Sequence, residues 1–204
     1  GMAADGQRVF VYSIANFPTL RCLEQIRNDV CYHNLDVAIV AIGAGLSYGT
    51  LGYSHHAVED IAAMRAFPHL TICSPGDPYE VHAAIDQICD RTGPVYLRLG
   101  KSGEPLLHSG ALTTGIDKPL LLAGGSDLTL AATGGICALA MEVSRELSDR
   151  DGLSLRVVSV PTIKPLDADA LLEAMNGTAG LVTIEEHTVA GGFGSAVLEA
   201  FAAK

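Results

Sequence analysis

Residues 37–56 read VAIVAIGAGLSYGTLGYSHH, and this stretch decides the fold class. Its first six residues, Val37–Ile42, are all apolar, which is typical of a β-strand covered on both faces in a parallel sheet. A loop with four glycines follows, and then an amphipathic segment that predicts a helix. Ligands of open α/β sheets bind beyond the carboxyl ends of the strands. The stretch therefore predicts an α/β fold, and the loop is either a ligand site or a mobile, glycine-rich surface loop.

The same alternation of short apolar runs and longer amphipathic stretches continues along the chain, which predicts strands alternating with helices and hence parallel sheets. Strands are predicted at residues 9–14, 37–42, 71–73, 94–99, 120–123, 128–132, 155–160 and 181–184. Helices are predicted at residues 18–32, 58–64, 77–90, 136–147, 168–175 and 195–203.

The predicted elements fall into two groups. Residues 100–118 contain four glycines and a proline without periodicity, and we interpret 103–117 as a linker. The predicted fold class is therefore α/β, with two tandem three-layer α/β domains of mainly parallel sheets over residues 1–102 and 118–204. The first domain is expected to be N-terminally incomplete, because it opens directly on a strand.

The composition argues against several classes of function. The 204 residues carry 13 Lys and Arg against 23 Asp and Glu, and this net charge of −10 argues against a nucleic-acid partner. The apolar runs fall far short of the ~20 residues that a membrane span needs. Five scattered cysteines without a CxxC motif argue against a zinc or redox site and favour a reducing cytoplasm. We expect no nucleic acid, no membrane and no metal bound by this chain.

Three short stretches carry residues suited to chemistry. His55 stands just before a predicted helix, whose N-terminal end favours a neutral imidazole; solvated histidines on a surface loop are the alternative. Arg98 and Lys101 close a strand and could bind a phosphate or carboxylate, or form a solvated basic pair. The sequence Glu185-Glu186-His187 could serve acid–base or metal chemistry, or be structural, because adjacent side chains at a strand end diverge.

Seven stretches, taken in order, resemble transketolase-like thiamine-diphosphate enzymes. They are residues 22–27, 45–56, 59–61, 74–80, 93–98, 164–167, and 185–187 with the glycines that follow. The resemblance covers essentially the whole chain and is greatest to the C-terminal section of a transketolase encoded as two chains. It implies that residues 1–102 are the later part of a pyrimidine-binding domain and that residues 118–204 are a transketolase C-terminal domain.

The resemblance also implies a cofactor and a partner. Enzymes of this family hold thiamine diphosphate between two domains, usually of different subunits, and one domain grips the diphosphate through a divalent cation such as Mg²⁺. This chain has no GDG-plus-Asn metal motif, so an N-terminal transketolase-type chain is implied as the partner that holds the metal. We expect a homo- or hetero-oligomer in the cytoplasm that transfers a two-carbon ketol unit between sugar phosphates, and an inactive isolated chain.

Individual residues receive roles from the same resemblance. His55 falls on the family histidine that faces the reacting carbon, and His56 either assists at the substrate or only packs. Lys101 falls where the family has an arginine for the sugar phosphate, and Arg98 is the other basic residue of that strand. Phe17 is the candidate for an aromatic contact to the pyrimidine ring of the cofactor.

Three positions depart from the family pattern. Leu51 stands where the family has an aspartate that reads a sugar hydroxyl, Tyr53 replaces the loop proline, and Gly43 replaces a phosphate-binding histidine. A site without these groups cannot select the usual sugar by the same contacts. A deoxyxylulose-phosphate synthase, a β chain of a 2-oxoacid dehydrogenase and a non-catalytic scaffold subunit of the same fold are therefore the alternatives.

Overall fold

A computed structural model describes all 204 residues, with nine β-strands in two sheets and six α-helices. The strands are β1 (Val9–Ile14), β2 (Val37–Ile42), β3 (Thr71–Cys73), β4 (Val95–Leu99), β5 (Leu120–Ala123), β6 (Leu128–Ala132), β7 (Leu155–Ser159), β8 (Thr162–Lys164) and β9 (Leu181–Ile184). The helices are α1 (Leu23–Gln25), α2 (Asp60–Arg65), α3 (Pro78–Asp90), α4 (Cys137–Asp151), α5 (Ala168–Ala174) and α6 (Phe193–Ala202). Not one of these helices has the length and apolar character that crossing a bilayer requires.

Both sheets are mainly parallel, which confirms the predicted α/β fold class. The first sheet has the strand order β1-β2-β4-β3-β8, and its first four strands are parallel. The second has the order β5-β7-β6-β9, in which β5 alone is antiparallel. The apolar strands β2 and β4 lie inside the first sheet, where both of their faces are covered. The carboxyl ends of β1, β2 and β4 consequently lie side by side.

Strand β8 is the one strand that the sequence does not predict. It belongs to the C-terminal half, yet it pairs antiparallel with β3 of the first sheet, where Cys73 lies opposite Thr162. Pro161 and Pro165 flank this strand and favour a loop, and the two paired residues are 89 positions apart in the chain. Through β8 the C-terminal half completes the sheet of the N-terminal half.

The helix predicted over residues 18–32 follows a helical path but is not one regular α-helix. Wider π-type turns at Phe17–Arg21 and Ile26–Cys31 flank the short helix α1. In such turns an N–H bonds to the carbonyl five residues earlier, as that of Tyr32 does to Arg27 at 3.0 Å. The prediction of a single helix is wrong in this respect, because apolar spacing reports the buried face and not the hydrogen-bond partner.

The largest apolar core joins the two halves of the chain. Its 21 buried residues include Ile61 of α2, Tyr96 of β4 and Phe193 of α6. Side chains alternate across a strand, so Val95 and Leu97 of β4 point the other way, into a smaller cluster with α3. A third cluster lies between α4 and the second sheet. Strand β4 is therefore covered by α3 on one face and by α2 and the C-terminal half on the other.

Buried polar groups tie helix α3 to the predicted linker. Asp77 accepts a hydrogen bond from the Glu80 N–H at 2.8 Å, and the Glu80 carboxylate accepts from the Gly76 N–H at 2.6 Å. Asp77 is the N-cap that the sequence predicts, whereas Glu80, three residues later, bonds the N–H before the cap and not the Asp77 N–H that a capping box uses. Asp77 also accepts from the backbone N–H groups of Leu107 and His108, and the His108 ring lies 2.9 Å from Glu80 Oε1. The carboxylates that begin α3 thus also hold the linker.

We predict that the contact between His108 and Glu80 makes stability depend on pH. The hydrogen bond to Glu80 raises the pKa of His108 from its usual 6.5, although burial opposes the shift. Such a group stabilises the fold fully below its unfolded pKa and loses this contribution as the pH rises through its folded pKa. Between about pH 6 and about pH 8 the free energy of unfolding should fall by about 1 kcal/mol more than in His108→Gln. Urea titrations measure this difference, and a difference of zero or of opposite sign would contradict the contact.

Candidate functional site

Three loops meet at the carboxyl ends of β1, β2 and β4, where the sequence predicts the ligand site. Phe17 follows β1, His55 lies in the loop after β2, and Lys101 follows β4. Because these strands are neighbours in one parallel sheet, the loops that follow them lie at the same end of the domain.

The three side chains are linked by successive contacts, in which a tyrosine lies between His55 and Lys101. The His55 ring lies 5.5 Å from the Phe17 ring and 6.0 Å from the Tyr48 ring, measured between ring centres. Lys101 Nζ lies 5.7 Å from the centre of the Tyr48 ring. These are the distances of aromatic and cation–π contacts. Phe17, Tyr48, His55 and Lys101 are called the His55 cluster below, and three of its four members are residues that the sequence predicts.

The position of the Tyr48 ring depends on Gly43. A Cβ atom at Gly43 would overlap this ring, and the backbone φ of +88° there also favours glycine. Tyr48 is missed by the sequence analysis, because nothing in a glycine-rich loop without periodicity distinguishes it. The glycine that makes room for the ring is the one local signal.

The two adjacent histidines contact different partners. His55 Nδ1 lies 3.0 Å from the Ser54 hydroxyl, and its Nε2 has no hydrogen-bond partner in the chain. His56 Nε2 lies 3.0 Å from the Gly49 carbonyl, to which it donates because a carbonyl only accepts. His56 therefore braces the loop, and the structure favours packing over the predicted substrate contact for this residue.

Arg98 is buried, which contradicts its predicted contact with a substrate. Its side chain is 2% exposed and lies 2.7 Å from Asp60, which is 1% exposed. The guanidinium also donates to the carbonyls of Ala57 at 2.8 Å and Glu186 at 3.0 Å. The prediction fails because the sequence shows a basic residue at a strand end but not the carboxylate, 38 positions away, that pairs with it. Arg98 instead joins β4, the start of α2 and the C-terminal half.

The stretch Glu185-Glu186-His187 does not form one acid–base group. Glu185 accepts hydrogen bonds at 2.5 and 2.9 Å from two backbone N–H groups at the start of α6. Glu186 packs against the loop after β2, where a Cβ atom at Gly45 would lie 2.5 Å from its own Cβ. His187 contacts α2. The three side chains diverge, as expected if this stretch has a structural role and no acid–base or metal chemistry.

A half-buried acid borders the same end of the sheet. Burial raises the pKa of Glu104, and the negative charges of Glu186 and Asp77 raise it further. Glu104 and Lys101 both line a cavity of about 490 Å³, to which Tyr12 of β1 also contributes. The cavity therefore combines a cation with a carboxyl group whose pKa is raised.

One group of potential metal ligands lies at the start of α3. The ligand atoms of Asp77, Glu80 and His108 lie within 4.8 Å of one another. All three residues form hydrogen bonds within the protein, and Glu80 accepts a further one from the Ser159 hydroxyl at 2.9 Å. The capping of α3 and the attachment of the linker account for this arrangement.

Two family models match the chain: the transketolase pyrimidine binding domain over residues 1–104 and the transketolase C-terminal domain over residues 117–204. The chain belongs to the transketolase family. One subunit of the apulose-4-phosphate transketolase of Phocaeicola vulgatus is 34% identical over 200 residues, which cover 98% of this chain and 64% of that protein. A putative transketolase C-terminal section of Methanocaldococcus jannaschii is 37% identical over 204 residues, which cover 99% of this chain and 63% of that protein.

A solved structure agrees with this assignment. One solved structure is described as split gene transketolase, inactive beta4 tetramer. It superposes on this chain with a TM-score of 0.88 and 36% sequence identity. The match covers 99% of this chain and 65% of that one. The chain thus has the transketolase fold and spans slightly less than two thirds of the length of these relatives.

Residues beside the His55 cluster fit the aminopyrimidine ring of the cofactor that the transketolase family implies. Asn16 donates to the Ser54 carbonyl, but its Oδ1 is buried without a hydrogen-bond partner. An unpaired buried acceptor is unfavourable, and the exocyclic amino group of an aminopyrimidine could donate to it. Phe17 is adjacent, and the Arg21 guanidinium lies 4.2 Å from its ring centre. Neither Asn16 nor Arg21 stands out in the sequence as more than a polar residue in a helical segment.

We predict that Arg98→Met lowers the free energy of unfolding by about 3 kcal/mol, because it leaves the Asp60 charge buried without its cationic partner. Urea titration at neutral pH measures the change. The matched control is Arg150→Met, since Arg150 pairs with Asp151 at 2.8 Å but the two side chains are 61% and 41% exposed. Such exposed pairs contribute about 0–1 kcal/mol. Equal effects of the two substitutions would contradict the structural role of Arg98.

Proposed function

We propose that this chain is a subunit of a transketolase-like transferase that moves a two-carbon ketol unit between sugar phosphates. The observation that carries the proposal is the His55 cluster, where an imidazole with an unpaired Nε2, two aromatic rings and an ammonium group meet at the carboxyl ends of three neighbouring strands. In this proposal the isolated chain is inactive, because a partner chain supplies the rest of the site.

His55 is the proposed catalytic residue. When the Ser54 hydroxyl donates to Nδ1, the ring proton lies on Nε2, because a neutral imidazole has one donor and one acceptor. Nε2–H can then donate to the oxygen of a ketose and stabilise the negative charge that develops there. The rings of Phe17 and Tyr48 both contact the imidazole and support this orientation.

Thiamine diphosphate is the proposed cofactor, and when bound it supplies the carbon nucleophile that attacks the ketose carbonyl. Phe17 would contact its pyrimidine ring, and Asn16 Oδ1 would accept a hydrogen bond from its amino group. The chain contains no GDG-plus-Asn motif. The proposal therefore assigns the diphosphate and Mg²⁺ to an N-terminal transketolase-type chain, which shares the cofactor with this one.

Lys101 is the proposed ligand of the substrate phosphate. Its side chain is exposed and lines the cavity at the end of β4. The net charge of −10 repels sugar phosphates in general, so a local cation is needed to bind them. Arg21 adds a second positive charge next to Phe17. Lys101 and Arg21 thus place two positive charges at and beside the cluster in an acidic protein.

We also propose that the chain assembles with its partner into a homo- or hetero-oligomer in the cytoplasm. One relative is named as a subunit of a transketolase, which supports a partner chain. Another is described as an inactive beta4 tetramer, which supports self-association. The five cysteines are all free thiols, which suits a reducing compartment.

The first test is reconstitution. Co-expression with an N-terminal transketolase-type chain is expected to give a stable complex that transfers ketol units when thiamine diphosphate and Mg²⁺ are present. His55→Ala should lower kcat by about 100-fold or more, because a donor to the developing charge is lost, while the complex still forms on size-exclusion chromatography. His33→Ala, at an exposed histidine, is the control and should keep full activity. A stable wild-type complex without ketol transfer would overturn the proposal.

The second test concerns the phosphate. Lys101→Gln should raise KM for a phosphorylated donor about tenfold, the effect of losing one charge-assisted hydrogen bond, and leave KM for an unphosphorylated analogue unchanged. Steady-state kinetics with both donors measure the two values. Lys118→Gln, at an exposed lysine after the linker, is the control. An equal rise in both KM values would exclude a phosphate contact by Lys101.

A further inference from the structure

Helix α2 begins without a capping side chain of its own. Its N-cap residue, Glu59, makes no side-chain hydrogen bond to the helix, although the first N–H groups of any α-helix lack partners within it. The Ala62 N–H is one of these groups, and it donates to Nε2 of His187 at 3.3 Å. The cap of α2 is therefore an imidazole from the loop after β9, in the C-terminal half of the chain.

The two partners of this imidazole determine its protonation state. Nδ1 of His187 lies 2.8 Å from the Thr188 carbonyl, which can only accept, so Nδ1 carries the proton. The Ala62 N–H can only donate, so Nε2 has to present a lone pair. A neutral imidazole satisfies both contacts. An imidazolium has a proton on each nitrogen and cannot accept from Ala62.

A second contact binds the same helix to the same loop. Arg65 at the end of α2 donates to the Gly191 carbonyl at 2.9 Å. Gly191 approaches α2 so closely that a Cβ atom there would lie 2.7 Å from the Ala62 Cβ. Helix α2 is therefore in tight contact with the loop after β9. His187 makes the contact at the N-terminal end of the helix.

We propose that His187 is a positioning residue for the loop that carries His55, and that its neutral form alone performs this role. The proposal rests on the proposed function of His55 and extends it. Helix α2 begins five residues after His55, so its first turn anchors the end of that loop. Protonation of His187 frees the Ala62 N–H and puts a positive charge at the positive end of the helix, which destabilises this anchor.

The charged groups around His187 act in both directions. Arg65 on α2 and the N-terminus of that helix disfavour an added positive charge. Glu185 favours it, because its carboxylate and Nδ1 of His187 both border Gly192. The other charged side chains of the packed elements are Glu59 and Asp60 at the start of α2, Glu186 beside His187, and Glu199 on α6. Salt bridges to Arg98 and Arg65 offset the charges of Asp60 and Glu199.

Amide hydrogen exchange of the full chain tests the proposal without an assay of activity. In the wild type, protection of residues 57–65, corrected for the intrinsic exchange rate, should fall about fivefold between about pH 8 and about pH 5.5, as one hydrogen bond is lost. His187→Gln keeps an acceptor near the position of Nε2 and does not titrate, so protection should be retained at both values. His187→Ala should show low protection at both.

Two further measurements complete the test. His33→Gln removes an exposed histidine and should leave the pH dependence of exchange as in the wild type. In the reconstituted complex, the acid limb of the kcat profile should move to lower pH in His187→Gln, while KM at neutral pH stays within about twofold of the wild type. A residue with a merely structural role would not move the pH profile.

The outcomes separate this proposal from the proposed function. Protection that does not change with pH in the wild type, or that falls equally in His187→Gln, overturns the positioning role. If His187→Ala does not fold, the comparison of the wild type with His187→Gln still decides. The exchange experiment can give the expected results while the wild-type complex transfers no ketol unit. In that case the capping of α2 by neutral His187 is supported, and only the proposed function is overturned.

Discussion

The buried ion pair between Arg98 and Asp60 is the contact on which the geometry of the site depends. Removing two charges from water costs several kcal/mol for each ion, so such a pair persists only with further hydrogen bonds. Asp60 accepts one from the Tyr96 hydroxyl at 2.6 Å, and burial together with the Asp60 charge raises the pKa of Tyr96 well above 10, so that the hydroxyl stays a donor. Arg98 donates to Ala57 and Glu186. One guanidinium thereby fixes β4, the start of α2 and the C-terminal half relative to one another.

The C-terminal half contributes no side chain to the His55 cluster, but it consequently shapes the site. It holds α2 from both ends. Before the helix, the Thr188 N–H donates to the Val58 carbonyl at 2.8 Å, and after it Lys164 Nζ donates to the Arg65 carbonyl at 2.8 Å. A cation at the C-terminal end of a helix is stabilising, because the last carbonyls carry partial negative charge. The loop after β2 ends at α2, so its shape depends on both halves of the chain.

Local patterns predict the elements of this fold, whereas contacts between distant residues decide the site. The strands β2 and β4 are found from the sequence because covered strands are continuously apolar. Strand β8 is missed because prolines flank it and its partner, β3, is distant in the chain. Arg98 is misassigned because its burial depends on Asp60, which lies on another element.

Phe17, His55 and Lys101 come together because three neighbouring parallel strands end at the same place, and the alternating pattern already implies such a sheet. Tyr48 joins them because Gly43 leaves room for its ring, and that glycine is the one local signal of this contact.

The loop after β2 indicates how the proposed enzyme would select its substrate. Leu51, which stands in place of a family aspartate, is 54% exposed and offers no hydrogen bond with which to reject a substrate that lacks a hydroxyl group. A histidine cannot occupy position 43 without displacing Tyr48, because even a Cβ atom at Gly43 would overlap that ring. The tyrosine ring thus occupies the space that a histidine at this position would need, and Lys101 is the cation next to the ring. In the proposed function, selection would therefore depend on the phosphate charge and on aromatic contacts more than on individual hydroxyl groups of the sugar.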